Sequence, residues 1–63
     1  MANIGDRIRI IMMEGENNYS GREGMVTYID DAGQIHGTWG GCALIPDVDE
    51  YEVINEFVQK DNL

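Results

Sequence analysis

The chain has 63 residues, a formal net charge of −8, one cysteine and one histidine. A chain this short forms one domain with a thin core, because it buries only roughly 60% of the surface that its unfolded form exposes. The single Cys42 excludes an internal disulfide, and one Cys with one His excludes a zinc site built from those residue types. A hydrophobic share of 43% favours a folded domain over a disordered segment.

The negative charge is concentrated in the second two-thirds of the chain. Residues 1–22 hold three acidic residues and three arginines, so their charges cancel, whereas residues 23–63 hold nine acidic residues against Lys60 alone. The N-terminus has no basic segment followed by an apolar one, and no apolar run approaches the ~20 residues that a membrane span needs. We therefore expect an acidic cytoplasmic protein of the host cell.

Two strands and a polar loop are predicted in the first third of the chain. Residues 5–13 alternate, with Ile8, Ile10 and Met12 on the expected core face. A polar loop rich in turn-forming residues follows and carries one large side chain, Tyr19, which either packs on the core or stays exposed as a contact residue. Residues 25–29 are rich in apolar and β-branched residues, which predicts the second strand.

A β-hairpin is predicted at the centre of the sequence. Residues 30–33 begin with Asp and end with Gly, which suits a type I turn or a turn followed by a bulge. Residues 34–39 alternate and end at Trp39, the only tryptophan. The reversal at Gly40 and Gly41 then needs a residue that can adopt a positive φ.

The remaining elements complete an all-β fold. Residues 42–45 predict a brief strand ended by Pro46, and residues 46–50 predict a single helical or 3₁₀ turn. Residues 51–54 predict the last strand. Residues 55–63 form a tail whose structure the pattern leaves open between a strand, a helical turn and disorder. The expected fold is a single five-stranded SH3-like barrel over 1–63, with its core in 5–54 and a short helical turn before the last strand.

Two resemblances support this fold. Residues 21–26 resemble the Gly-x-x-Gly-x-Val start of KOW-type and other SH3-like barrel modules. A longer pattern over residues 5–54 resembles a family of small uncharacterised domains encoded largely by bacterial phages and other mobile elements. It comprises Gly5-Asp6-Arg7-Ile8, Gly21, Gly24, Val26, the segment Asp30 to His36, Trp39, Leu44-Ile45-Pro46, Val48-Asp49, Tyr51 and Val53-Ile54. The resemblance implies a fold and a mobile-element origin but no activity, and at Gly37 the chain departs from the β-branched residue expected there, which thins the core beside Trp39.

We expect no enzyme, no cofactor and no metal site. His36 lies beside Asp30 and Asp31 in sequence, an arrangement that could orient a general base, but a surface histidine on a hairpin is the commoner outcome. The paired acids at 30–31 and the acids at 47–50 lack the spread of oxygen ligands that a calcium loop requires.

Docking on a basic host protein is the function that the charge favours most. A compact acidic body attracts basic clefts over long range and accelerates association. Such a protein of a mobile element could inhibit a host defence or regulatory protein, or act as a DNA mimic. The candidate contact residues are Asp30, Asp31, Asp47, Asp49, Glu50 and Glu52, with Tyr19 and Tyr28 as aromatic anchors.

Two alternatives stay open. A small ligand such as a signalling nucleotide could be sequestered in a pocket between the first loop and the hairpin, formed by Tyr19, Arg22, Trp39, Gly40 and Gly41. The KOW-like pattern also raises nucleic-acid association, which the scarcity of basic residues argues against. A homodimer is a further expectation, since the thin core leaves apolar residues such as Ile11 and Phe57 for an interface.

Overall fold

The computed structural model describes residues 2–55, and its framework is one antiparallel sheet of four strands. The strands are β1 (Arg7–Met12), β2 (Glu23–Ile29), β3 (Ile35–Gly37) and β4 (Glu50–Val53). Their order across the sheet is β3-β2-β1-β4, so the last strand lies beside the first. A 3₁₀ helix, Asn17–Tyr19, lies in the loop between β1 and β2. The prediction of a small β-rich domain is confirmed, and the predicted tail falls largely outside the described residues.

A bulge in β1 changes which methionine enters the core. Ile8 and Ile10 are fully buried, as predicted. The register then shifts, since Ile10 lies opposite Tyr51 while Met12 lies opposite Glu50, which leaves one extra residue in β1. The extra residue moves the following side chains to the other face. Met13 is consequently 3% exposed and Met12 is 38% exposed, so the prediction of Met12 in the core is wrong.

The central hairpin turns as predicted. The Gly33 N–H donates to the Asp30 carbonyl (2.9 Å), and the Asp30 N–H donates to the Gln34 carbonyl (3.0 Å). Gly33 has a φ of 85°, the left-handed conformation that follows a type I turn in a hairpin with a bulge. The returning strand β3 is three residues long, shorter than the predicted span 34–39.

The predicted fourth strand is reduced to a single bridge. The N–H and C=O groups of Leu44 both bond to Ile35, at 2.8 and 2.9 Å. The pairing does not extend beyond these two residues, so it is an isolated bridge. The next N–H, that of Ile45, donates to the Asp49 carboxylate, and Pro46 has no N–H to give. The described residues therefore contain four strands rather than five.

The segment before β4 forms a hydrogen-bonded turn rather than a helix. The N–H groups of Val48 and Asp49 both donate to the Ile45 carbonyl, at 3.0 and 2.8 Å. The single turn predicted over 46–50 is therefore present as a hydrogen-bonded turn and not as a helix, and the 3₁₀ helix of the described residues lies in the first loop.

The core is closed by Trp39 packing on Gly37. The indole is 4% exposed, and its Nε1–H donates to the Cys42 carbonyl at 2.8 Å. A β-carbon on Gly37 would overlap the Trp39 ring and the Met25 carbonyl. The expectation that Gly37 thins the core is wrong, because the tryptophan ring occupies the space that a larger residue would need.

Candidate functional site

Two of the three arginines in the described part of the chain are paired with acids on the outer face of the sheet. Arg9 bridges its two neighbouring strands, with Nη1 at 2.8 Å from Glu52 Oε2 and Nε at 3.0 Å from Glu23 Oε2. Arg7 Nη2 lies 3.5 Å from Glu23 Oε1. The hydrogen bonds that Arg9 donates to Glu52 and then to Glu23 raise the pKa of Arg9. Glu52, a predicted partner contact, is therefore already bound to a cation of its own chain.

The third arginine lies within the predicted ligand site. The Arg22 guanidinium stacks over the Tyr19 ring at 4.0 Å from its centroid, and Nη1 donates to the Trp39 carbonyl at 2.9 Å. A β-carbon on Gly40 would come within 2.7 Å of the Tyr19 hydroxyl and 2.9 Å of Arg22 Nη1. The structure thus brings together four of the five residues predicted for a small ligand. They pack against one another, and Gly41 has no such neighbour.

One predicted contact acid, Asp49, is buried. The residue is only 7% exposed to solvent. Oδ1 accepts the N–H of Glu14 and Oδ2 accepts the N–H of Ile45, both at 2.8 Å. Asp49 therefore ties the end of β1 to the turn before β4, and it does not offer its carboxylate to a partner. Sequence analysis missed this role, although an Asp four residues after the N–H it accepts is a recognisable turn signal.

Asp30 is also committed within its own hairpin. Oδ1 accepts the N–H groups of Ala32 (3.0 Å) and Gln34 (2.9 Å), and Oδ2 lies 2.9 Å from His36 Nε2. The hydrogen bond with His36, followed by that from Gln34, lowers the pKa of Asp30 below its ordinary value of 3.8. The pair has the geometry of a carboxylate orienting a histidine, and it equally fixes the hairpin turn.

The other predicted contacts divide between surface and core. Asp31, Asp47 and Glu50 are exposed, and none of them has a cationic partner among residues 2–55. Tyr28 is 55% exposed, and its ring centroid lies 5.5 Å from that of His36. Tyr19 is only 9% exposed, so it packs on the core and is not available as a surface anchor.

Two cavities of the described surface bear on the predicted sites. The larger, of about 320 Å³, is lined by Arg7, Arg9, Glu23 and Ile54, where the ion pairs of the outer face lie. The second, of about 170 Å³, is apolar and is lined by Ala2, Ile29, Gly33, Ile35, Pro46 and Tyr51. Neither cavity includes Arg22, Trp39 or Gly40, so the predicted ligand residues line no part of these two spaces.

Residues 2–55 contain neither a cluster of metal ligands nor a membrane-spanning helix. No three His, Cys, Asp or Glu side chains in that range are placed to hold a metal ion together. No helix in the range has the length and apolar character for crossing a membrane.

Comparison with known proteins identifies a family. Residues 3–54 match the family described as "Domain of unknown function (DUF4314)", which covers most of the chain. The chain therefore belongs to that family, whose description assigns no activity. No curated protein matches the chain. No solved structure matches it.

Proposed function

We propose that this member of a domain family of unknown function is a non-catalytic acidic module that docks on a basic partner protein. The observation that carries the proposal is the division of charge on the surface. The three arginines of the described residues are engaged by groups of their own chain, whereas Asp31, Asp47 and Glu50 are exposed without a cationic partner there. The charge offered to an approaching molecule is negative, which attracts a basic surface and accelerates association.

The structure narrows the predicted contact set. Asp49 and Tyr19 are buried, and Asp30 and Glu52 are bonded to His36 and Arg9. Asp31, Asp47, Glu50 and the exposed Tyr28 remain as the contacts of the proposal. Within the proposal, the partner is a cytoplasmic host protein, and the module is an inhibitor or DNA mimic. The sequence resemblance adds only that a phage or other mobile element encodes it.

A barrel related to SH3-like modules is the architecture that we propose for the whole domain. The bridge between Leu44 and Ile35 places the segment around Leu44 beside β3. With that segment counted, the order of chain segments becomes 44, β3, β2, β1, β4. This order supports an open barrel of five segments in which the fourth segment is shortened to one bridge.

Native mass spectrometry of the tagged protein recovered from nuclease-treated host lysate tests the docking proposal. We expect an added mass of protein size that is lost at high salt. The double variant Asp47→Lys/Glu50→Lys should lose it, and the control Glu16→Lys, which reverses a charge outside the proposed contacts, should keep it. Retention of the added mass by the double variant would contradict the proposal.

The ligand alternative predicts a different result in the same experiment. An added mass of a few hundred daltons, unaffected by Asp47→Lys/Glu50→Lys and abolished by Arg22→Ala, would indicate a captured small molecule. We rank this alternative second, because Arg22 already binds the Tyr19 ring and the Trp39 carbonyl. Nucleic-acid association ranks below it, since phosphate contacts need free basic groups.

A further inference from the structure

One edge of the sheet is open in the described part of the chain. β4 is the last strand in the order β3-β2-β1-β4 and pairs with β1 on one side. Within residues 2–55, no other strand pairs with its second side. The opposite edge, β3, is covered at Ile35 by the bridge to Leu44. β4 is therefore the edge at which a further strand could be added.

The backbone groups on this edge are identified by the register. The Ile54 N–H donates to the Arg7 carbonyl at 2.9 Å. Glu52 lies opposite Arg9, and each of them is two residues from the bonded pair along its own strand. Because backbone groups in a strand alternate between its two sides, Glu52 and Ile54 bond towards β1. The N–H and C=O groups of Tyr51 and Val53 consequently point away from the sheet, towards the open edge.

The side chains beside this edge indicate the chemistry of an added strand. Glu50, Tyr51, Glu52 and Val53 alternate between acidic and apolar. Glu52 shares the outer face with Arg9, to which it is bonded, and Val53 lies opposite Ile8 on the other face and is 43% exposed. A neighbouring strand would set its own alternate side chains against these two rows. Lysine or arginine would suit the outer row and apolar residues the inner one.

A second copy of the chain suits the edge less well. In an antiparallel two-fold pairing centred on Tyr51, Glu50 would face Glu52 of the other copy, and in one centred on Glu52 the two Glu52 side chains would face each other. Like charges directly opposite are destabilising. These two registers are therefore disfavoured for a second copy, whereas a basic strand from a different protein would set an opposite charge beside Glu50.

We propose that the open edge of β4 accepts an extended segment of a partner protein in which basic and apolar residues alternate. The segment would bond to the backbone of Tyr51 and Val53 and place a basic side chain beside Glu50, which has no cationic partner among residues 2–55. This inference rests on the proposed function and specifies how the acidic module holds its basic partner. Backbone hydrogen bonds give such strand addition its affinity, and the side-chain rows give it selectivity.

A pair of peptides tests the inference on the full chain. The probe is an end-capped peptide of alternating Lys and Val, long enough to span β4. Its control has the same sequence and charge but carries N-methyl groups on alternate residues, along the side that would bond to β4. We expect the unmethylated peptide to bind at least about tenfold more tightly by calorimetry, since methylation removes the donors of several backbone hydrogen bonds to β4. Bound peptide should also slow amide hydrogen exchange at Tyr51 and Val53.

A variant at the edge gives a second measurement. Val53→Pro removes an N–H that faces away from β1, a position where edge strands tolerate proline. It should abolish the preference for the unmethylated peptide, and Val53→Ala should keep it. If Val53→Pro fails to fold, the comparison of the two peptides on the natural chain still decides the matter.

The outcomes separate the inference from the function on which it rests. Equal, salt-sensitive binding of both peptides would overturn strand addition and leave docking by charge standing. Absence of binding by either peptide at low salt would also overturn strand addition, while the charge-reversal experiment on the host lysate independently decides the proposed function.

Discussion

At the scale of single residues, Asp49 shows that an acid in an acidic protein can be a structural group. Both of its oxygens accept backbone N–H groups, from Glu14 and Ile45. Asp49→Asn replaces one acceptor by an NH₂ group that faces a donor, and we expect it to lower the free energy of unfolding by about 1–3 kcal/mol. Urea unfolding measures the loss. The control Asp47→Asn changes an exposed acid two residues away and should cost little, so an equal loss in both variants would contradict the assignment.

Asp30 gives the stability of the domain a defined dependence on pH. Its pKa is lowered below 3.8 in the folded chain, first by the hydrogen bond with His36 and then by the Gln34 N–H. A carboxyl whose pKa is lower when folded contributes stability that is present above its unfolded value and is lost as the pH falls through the folded value. We therefore expect the midpoint temperature of thermal unfolding to fall as the pH is lowered below about 4. Asp6, whose pKa is lowered by Asn55, adds to the same loss.

Replacing the carboxyl tests that assignment. Asp30→Asn should reduce the fall in stability between neutral pH and pH values below the ordinary pKa of the group, as followed by thermal unfolding. Asp31→Asn, which changes the adjacent exposed acid, should leave the fall unchanged. An identical pH profile in the natural chain and in Asp30→Asn would show that the hairpin carboxylate does not contribute to it.

At the scale of elements, the sequence predicts local features better than register. The hairpin turn could be predicted because Asp30 and Gly33 determine its geometry within a few residues. The bulge in β1 could not be predicted, because residues 10–13 are all apolar. Alternation of apolar and polar residues therefore does not show which of these side chains face the core. The strand predicted at 42–45 is reduced to one bridge because the Asp49 carboxylate accepts the Ile45 N–H, a hydrogen bond that the apolar run over 42–45 does not reveal. In the candidate site, the signs of the charges were predictable and their pairing across strands was not.

The contact between β3 and Trp39 makes a prediction about this element. A β-carbon at Gly37 would overlap the indole and the Met25 carbonyl. Gly37→Ala should therefore lower the free energy of unfolding by about 1–3 kcal/mol, as expected when a packed core is overfilled. Gly41→Ala is a matched control, since no atom lies within 4 Å of the added carbon, and it should change stability by less than about 0.5 kcal/mol. A neutral Gly37→Ala variant in denaturant unfolding would contradict the close packing.

At the scale of the whole molecule, the net charge of −8 should give self-association and partner binding opposite responses to salt. Two copies repel each other, so the homodimer predicted from the sequence should strengthen between about 0.05 and about 0.5 M salt, where screening shortens the range of the repulsion. Docking on a basic partner should weaken over the same range, because the same screening removes an attraction. Sedimentation equilibrium of the isolated chain and calorimetry with the Lys-Val peptide measure the two responses. A chain that stays monomeric at high micromolar concentration in both salts would refute the homodimer, and peptide binding that is indifferent to salt would refute docking by charge.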